Sequence, residues 1–284
     1  MASRSTSATH AVDQDIDHVQ GELARELKAA HTAALEAGAI LVNHWNERGF
    51  TVNEKSRDNP VTTADFEADH KLKEILHDGF PGYGWLSEET ADNGDRLARD
   101  RVWIVDPLDG TKEFIKGVPE FVVAIALADR GVPVLGITYN PITHELFWGG
   151  RGLGCHLDGA SVHVTATARL ADATVLASRS ETARGEWKPY EGLLQARAVG
   201  SVAYKLALVA AGQADATFTL KPKSEWDVAA GAALLAAAGG RITDIGGRDL
   251  HFNQQSVKLT GLVASNGLLH DEVERLIRRR SDHK

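Results

Sequence analysis

The chain has 284 residues, 43% hydrophobic and 25% charged, a composition typical of one large globular domain or two smaller ones. The 39 acidic and 31 basic residues give a net charge of −8, which argues against a nucleic-acid polymer as the partner, and the single cysteine excludes an intrachain disulfide. The N-terminal residues lack the apolar core of a signal peptide, and no run of apolar residues is long enough to span a membrane. We therefore expect a cytoplasmic protein.

The first half of the chain begins with two predicted helices. Apolar residues at helical spacing predict an amphipathic helix over residues 21–47. A second helix, capped by Thr62 or Thr63, is predicted to run to about His77, which places Asp65 in its first turn. An acidic residue there commonly stabilises the helix dipole, and taken alone Asp65 is best interpreted in this way.

Strands and turns follow the two helices. Residues 84–89 predict a short strand that ends in two glutamates, although adjacent acids usually mark a solvated loop. Two apolar runs, 121–129 and 132–140, predict a β-hairpin. The glycine-rich run 149–154 could be mistaken for a dinucleotide-binding fingerprint. Because no βαβ unit surrounds it, it predicts a bend between antiparallel strands instead.

The turn over residues 106–111, with the sequence DPLDGT, carries the clearest chemical signal. It follows an apolar run that predicts a buried strand, and its proline and glycine force a turn between Asp106 and Asp109. A helix is predicted to begin at about Thr111, so the first backbone N–H groups there would lack helical partners. Carboxylate oxygens suit Mg²⁺ and a helix N-terminus suits phosphate, so this turn predicts a site where a metal bridges to a phosphate.

The second half alternates strands and helices. Strands are predicted at 174–177, 195–199, 215–220, 241–244 and 259–264, and helices at 202–211, 228–238 and 268–279. Residues 221–227 are predicted to form a loop that leads into the second of these helices. The chain is thus predicted to have a disordered tail over residues 1–18, an α+β region with an antiparallel sheet over 19–160, and an α/β region over 161–284.

Four motifs now stand in a fixed order along the chain. They are Pro60-Val61-Thr62 with Asp65, Leu86-Ser87-Glu88-Glu89, Asp106-Pro107-Leu108-Asp109-Gly110-Thr111 and Trp226-Asp227-Val228-Ala229-Ala230-Gly231. Together they resemble the lithium-sensitive, Mg²⁺-dependent phosphatase family that includes inositol monophosphatases and 3′(2′),5′-bisphosphate nucleotidases, and the resemblance covers about residues 20–275. It implies an α/β fold of stacked α-β-α-β-α layers.

The resemblance also implies a set of metal ligands. Glu88, Asp106 and the backbone carbonyl of Leu108 would bind a first Mg²⁺, while Asp106, Asp109 and Asp227 would bind a second, with Asp106 bridging the two. A third, weaker Mg²⁺ would lie near Glu88. Four neighbouring carboxylates would repel one another strongly without cations, which is the physical reason to expect a metal-loaded cluster.

The remaining catalytic roles are implied in the same way. Asp65 and Thr111 would orient and activate the attacking water, and the backbone N–H groups of Gly110 and Thr111 would hold the phosphate. Asp227 would also contact the substrate. Threonine is a poor base by itself, but a hydroxyl hydrogen-bonded to a carboxylate can orient a water whose pKa a metal has already lowered.

Three features bear on the substrate. Lys112-Glu113-Phe114 resembles the bisphosphate nucleotidase branch, whereas inositol monophosphatases generally carry Thr-Asn-Phe at the corresponding position. Leu220 stands where those enzymes carry a glutamate that binds an inositol hydroxyl. The substrate-binding residues that resemble the nucleotidase pattern are Ser178, Arg179, Gly200, Ser201 and Lys205. Basic side chains there would bind a second phosphate, although each lysine alone could equally be a solvated surface residue.

These features predict a small-molecule phosphate ester as the partner and hydrolysis of 3′-phosphoadenosine 5′-phosphate to AMP and phosphate, a step of sulfate assimilation. The alternative is an inositol 1-phosphate or other sugar-phosphate phosphatase. A non-catalytic metal-binding scaffold is least favoured because every motif carboxylate and Thr111 are present. An EF-hand is excluded because Gly110-Thr111 interrupts its ligand pattern. The sequence is compatible with either a monomer or a homodimer.

Overall fold

The structure is a computed structural model that describes residue 16 and residues 18–56 and 59–281. Its first elements are two helices and the β-hairpin between them. The elements are α1 (Ala24–Glu47), β1 (Val52–Ser56), β2 (Asn59–Thr62) and α2 (Thr63–Leu72), which continues as a π-helical turn over Lys73–His77. The first helix ends at Glu47 and the second, with its π-helical turn, ends at His77, as predicted. Thr62 caps α2, which also agrees with the sequence. Most of the predicted tail over residues 1–18 lies outside the described residues.

The larger sheet comes from the first half of the chain. Its seven strands, in spatial order, are β3 (Gly84–Ser87), β4 (Arg101–Asp109), β5 (Val122–Asp129), β6 (Val132–Asn140), β7 (Glu145–Gly150), β8 (Gly154–Leu157) and β9 (Ala160–Val162). All neighbours are antiparallel except β3 and β4, which run parallel. Because parallel strands end at the same edge of a sheet, the residues that follow β3 come close to the end of β4.

The smaller sheet is mixed. Its five strands, in spatial order, are β11 (Gln195–Val199), β10 (Thr174–Ser178), β12 (Ala216–Thr219), β16 (Leu262–Ser265) and β14 (Arg241–Thr243). The prediction of one continuous strand over 259–264 is wrong. This segment forms two strands, β15 (Lys258–Leu259), which pairs with β13 (Lys223–Ser224), and β16. The break occurs at Gly261, which has a φ of +127°. Only glycine adopts this backbone conformation without steric strain.

Helices separate and cover the two sheets. They are α3 (Thr111–Lys116), α4 (Arg179–Ala183), α5 (Val202–Ala210), α6 (Glu225–Ala238) and α7 (His270–Ser281). One core cluster packs α1 and α2 on the larger sheet, a second packs α5 and α6 between the sheets, and a third packs α7 on the smaller sheet. The result is the expected α-β-α-β-α stack.

None of the helices in the described part of the chain is both long enough and apolar enough to cross a bilayer.

Candidate metal centre and active site

The DPLDGT turn is formed by a break in the pairing of β4 with β5. The register shifts between Asp106, which lies opposite Ala124, and Asp109, which lies opposite Val122. Gly110 then adopts a φ of +105°, and a Cβ atom at this position would lie 2.9 Å from the Glu120 carbonyl oxygen. The glycine is therefore required both by backbone conformation and by space, and it directs the chain into α3 at Thr111.

Three carboxylates meet at this end of the sheet. Glu88, Asp106 and Asp227 each place one oxygen in a group whose members all lie within 4.8 Å of one another. Burial and the neighbouring carboxylates, Glu88 first among them, raise the pKa of Asp106 well above its usual value. Burial and the Asp109 charge raise the pKa of Asp227 to about 7. Clustered hard oxygen donors that resist ionisation in one another's presence fit a divalent cation such as Mg²⁺.

Asp227 reaches this group from the first turn of α6. The helix begins at Glu225, so the prediction that it starts at residue 228 after a loop is wrong by one turn. The cause is a capping box with Ser224, whose backbone N–H donates to Asp227 Oδ2 at 3.0 Å. The same carboxylate therefore stabilises the helix end and contributes to the acidic group.

Asp109, predicted as a ligand of the second metal, lies on the same cavity but outside the group of three. Its Oδ2 accepts hydrogen bonds from Ser201 Oγ and from the backbone N–H of Ala203, both at 2.6 Å. These contacts place the carboxylate at the N-terminus of α5, where the helix dipole favours a negative charge. Its role as a metal ligand stays a prediction.

The predicted catalytic pair is brought together. Thr111 Oγ1 lies 3.1 Å from Asp65 Oδ1 and 3.1 Å from the carbonyl oxygen of Leu108, so its single hydroxyl hydrogen can be donated to either acceptor. Asp65 Oδ2 accepts from the backbone N–H and the hydroxyl of Thr62, at 2.8 and 2.6 Å. Asp65 thus lies in the first turn of α2, as predicted, where it completes a capping box with Thr62, and it also holds Thr111. Burial raises its pKa to about 6.

Lys55 belongs to the same site, and the sequence analysis missed it. Its Nζ lies 3.0 Å from Glu88 Oε1 and 2.5 Å from Glu89 Oε1, so β1 is tied to the two glutamates after β3. Burial raises the pKa of Glu89 to about 7 even though Lys55 opposes the shift. Nothing in the local pattern around Lys55 marks it, because the contact depends on how the hairpin folds over the sheet.

The acidic group opens into a cavity of about 480 Å³. Its lining combines the site carboxylates with several basic side chains, namely Lys55, Lys112, Arg184, Lys205, Lys221, Lys223 and Lys258. Glu88, Asp106, Asp109, Glu113, Glu181 and Asp227 offset these charges, so the cavity would favour an anionic ligand once cations occupy the acidic group.

Most of the predicted substrate-binding residues line this cavity. They are Gly110, Thr111, Ser178, Gly200, Ser201, Lys205 and Asp227. Lys205 is buried, its Nζ donates to the Ser201 carbonyl oxygen, and burial lowers its pKa to about 8. The Gly200 backbone N–H donates to Glu120 Oε2 at 2.6 Å, so this N–H already has an acceptor within the protein.

Arg179 does not join them. Within the described part of the chain, the lining includes Arg184 from this segment but not Arg179. The Arg179 guanidinium instead pairs with Glu120, with Nη2 2.6 Å from Oε1 and Nε 3.0 Å from Oε2. This bidentate pair fixes the guanidinium on Glu120, and substrate binding by Arg179 stays a prediction.

Comparison with known proteins defines the class. The model of the inositol monophosphatase family matches residues 22–283. An inositol-1-monophosphatase of Caulobacter vibrioides is 36% identical over 256 residues, which are 86% of this chain and 98% of that protein. The chain belongs to the inositol monophosphatase family of phosphatases, whose members depend on a metal, typically Mg²⁺.

Two solved structures show the same fold. The suppressor protein SuhB of Bartonella henselae is 32% identical, with a TM-score of 0.78 over 89% of this chain and 98% of that one. CysQ of Bacteroides thetaiotaomicron, described as a bacterial member of the same family, is 28% identical, with a TM-score of 0.70 over 94% and 99%. The fold predicted from sequence is confirmed.

Proposed function

We propose that this protein is a Mg²⁺-dependent phosphomonoesterase that hydrolyses a small phosphate ester. The observation that carries the proposal is the position of Glu88, Asp106 and Asp227 on the same cavity as Thr111, whose hydroxyl is hydrogen-bonded to Asp65. The first group provides the ligands for a cation, and the second provides the hydrogen bonds that orient a nucleophile.

Each part of the site has a distinct task in this reaction. Bound Mg²⁺ would neutralise charge on the phosphate and lower the pKa of water. When Thr111 donates its hydroxyl hydrogen to Asp65, its oxygen is free to accept a hydrogen bond from the attacking water and to hold that water in line with the phosphorus. The backbone N–H groups of Gly110 and Thr111 would hold the phosphate oxygens at the turn.

Inositol 1-phosphate is the substrate that the relatives support best. The Caulobacter protein is named an inositol-1-monophosphatase, and this chain aligns with almost its whole length. This support favours the alternative of the sequence analysis over 3′-phosphoadenosine 5′-phosphate, although the Leu220 position lacks the expected glutamate.

A second candidate, 3′-phosphoadenosine 5′-phosphate, is favoured by the basic wall of the cavity. Arg184, Lys221, Lys223 and Lys258 all line it, beside the residues that face the reacting phosphate. Three of these cations already lie beside Glu186 or Glu181, and a second phosphate on the substrate would add a further anionic partner at this wall. The likeness to the Bacteroides CysQ is a weaker hint in the same direction.

The test is phosphate release with Mg²⁺ from the two esters side by side, compared as kcat/KM. Release from either ester that stops on chelation of the metal supports the phosphomonoesterase. The ratio of the two kcat/KM values selects the substrate. A protein that binds Mg²⁺ but releases no phosphate from these or from simple esters would instead be a metal-binding scaffold.

A further inference from the structure

A second pocket, of about 180 Å³, adjoins the catalytic cavity. The two share wall residues, since Glu181 and Lys221 line both. The inner walls of the smaller pocket are largely apolar and include Trp187, Tyr190, Phe218 and Leu220. We refer to it below as the aromatic pocket. Leu220 stands at the position where inositol monophosphatases carry a glutamate, and the three aromatic residues belong to none of the metal-binding or catalytic motifs.

The aromatic walls are held in fixed positions. The ring centroids of Trp187 and Phe218 are 4.5 Å apart, and those of Tyr190 and Phe218 are 5.0 Å apart. All three side chains are buried and belong to the core that α7 forms with the smaller sheet. A rigid aromatic surface loses little conformational entropy when a flat group packs against it, so the walls are preorganised for a planar ligand.

Polar groups stand where the two cavities meet. Glu181 is buried, and its carboxylate accepts from Thr219 Oγ1 at 2.6 Å and from Trp187 Nε1 at 3.3 Å. These two contacts fix its direction, and a carboxylate can accept about four hydrogen bonds, so it retains capacity for a ligand donor. Lys221 supplies a cation at the same boundary.

We propose that the aromatic pocket is a subsite for the planar heteroaromatic ring of the substrate's leaving group. Its volume of about 180 Å³ is below the roughly 300–1,000 Å³ typical of a complete ligand site, so it would hold one part of a ligand that extends from the catalytic cavity. The ring would pack on Trp187 and Phe218 and donate an N–H to Glu181.

A polyol fits this pocket poorly. Most of its hydroxyl groups would lose water against the apolar walls, and the charged partners for the rest are Glu181, Glu186 and Lys221. The inference rests on the proposed phosphatase function and, within it, favours a nucleotide over an inositol phosphate. It concerns where the leaving group binds, so it can be tested separately from hydrolysis.

The test compares adenosine 5′-phosphate with ribose 5-phosphate, which carries a hydroxyl in place of the heteroaromatic base, by calorimetric titration of the protein with Mg²⁺ present. We expect the wild-type protein to bind the nucleotide at least about 10-fold more tightly, since base–aromatic stacking alone contributes on that order. Equal affinity for the two ligands would overturn the proposal without any variant.

The variant Leu220→Trp then tests whether the preference for the nucleotide arises in the aromatic pocket. Leu220 is 39% exposed at the pocket, so a larger side chain there would fill the space with little cost to folding. The matched control is Leu268→Trp, because Leu268 is also an exposed leucine but lies outside both linings. Loss of the nucleotide preference in Leu220→Trp alone supports the subsite. A full preference in that variant, or an equal loss for both ligands, overturns it.

Catalysis gives the independent arm of the experiment. If no ester releases phosphate with Mg²⁺ but adenosine 5′-phosphate still binds better than ribose 5-phosphate, the proposed function fails and the subsite stands. If phosphate is released and the ring adds no affinity, the proposed function stands and the subsite fails.

Discussion

At the scale of single residues, the site is defined by carboxylates that oppose one another's ionisation. Asp106 is 1% exposed and faces Glu88 and Asp227. Its pKa is raised by burial first and by these charges next. The carboxylates therefore repel one another in the folded protein, and a divalent cation would relieve that repulsion. A substitution of Asp106 should consequently change both the metal-dependent activity and the stability of the protein.

Asp106→Asn should separate these readouts. We expect phosphate release to fall by more than about 100-fold, since the loss of even an indirect partner of a metal site costs about 10- to 100-fold. The melting temperature in EDTA should be unchanged or higher, because one of the repelling charges is gone. Phosphate assays and thermal unfolding would measure both, with Asp271→Asn as a control on an exposed part of α7. Near-normal turnover in Asp106→Asn would exclude the proposed metal centre.

Thr111 tests the orientation of the nucleophile. Thr111→Val keeps the shape of the side chain but removes the hydroxyl that lies 3.1 Å from Asp65. We expect kcat to fall by about 100- to 10,000-fold, with little change in the Mg²⁺ concentration needed for half-maximal activity. Thr111→Ser, which retains the hydroxyl, should stay within about 10-fold of wild type. Similar kcat values for the valine and serine variants would remove Thr111 from the reaction.

At the scale of elements, α6 connects the core to the site. It carries Asp227 in its first turn and packs closely on β6, where a Cβ atom at Gly136 would lie 2.4 Å from the Ala230 carbonyl oxygen. At this contact the helix presents Ala230 and Ala233, which have no long side chain that could absorb a displacement. A small change at the sheet is therefore transmitted to the position of Asp227.

Gly136→Ala tests this coupling. The added methyl group must move α6 away from β6, at a cost of about 1–3 kcal/mol. We expect the melting temperature to drop by at least about 2 °C and the affinity for Mg²⁺ to weaken. Thermal unfolding and calorimetric titration would measure these effects. Gly82→Ala is the control, because no atom of the described residues beyond its chain neighbours lies within 4 Å of the added Cβ there. A change in stability with unaltered Mg²⁺ affinity would show that α6 adjusts without moving Asp227.

The elements also show what could be predicted from sequence. Asp106 and Asp109 lie on one turn, so local pattern was enough to identify them as candidates. The start of α6 was misplaced because Ser224 and Asp227 form a capping box inside a stretch that resembles a polar loop. The pairing of Arg179 with Glu120 and the reach of Lys55 to Glu88 depend on contacts between distant segments, which no local pattern encodes.

At the scale of the whole molecule, the acidic group affects how stability responds to pH. The pKa values of Asp65, at about 6, and of Asp227 and Glu89, at about 7, exceed the value of about 4 expected in the unfolded chain. Between about pH 4 and 7 the folded state therefore binds more protons than the unfolded state, and the free energy of unfolding contributed by these groups is lost as pH rises through their folded pKa values.

Mg²⁺ should reverse this loss because it binds the ionised carboxylates. We expect the rise in melting temperature on adding Mg²⁺ to be larger at pH 8 than at pH 5, where protons compete with the metal. Thermal unfolding in Mg²⁺ and in EDTA at both values would measure it, with NaCl at matched ionic strength as the control. An equal rise at the two pH values would mean that Mg²⁺ acts elsewhere on the protein.

The three carboxylates of the acidic group come from different parts of the sequence. Two of them are close together along the chain, and the third is distant. Glu88 follows β3 and Asp106 lies near the end of the neighbouring parallel strand β4, whereas Asp227 lies on a helix in the other half of the chain. During folding, the first two can meet through local strand pairing, but the third must wait until α6 docks between the sheets. If docking follows the main kinetic barrier, Mg²⁺ would slow unfolding and leave the rate of refolding almost unchanged. Refolding that accelerates with Mg²⁺ would instead mean that the two halves meet before the barrier is crossed.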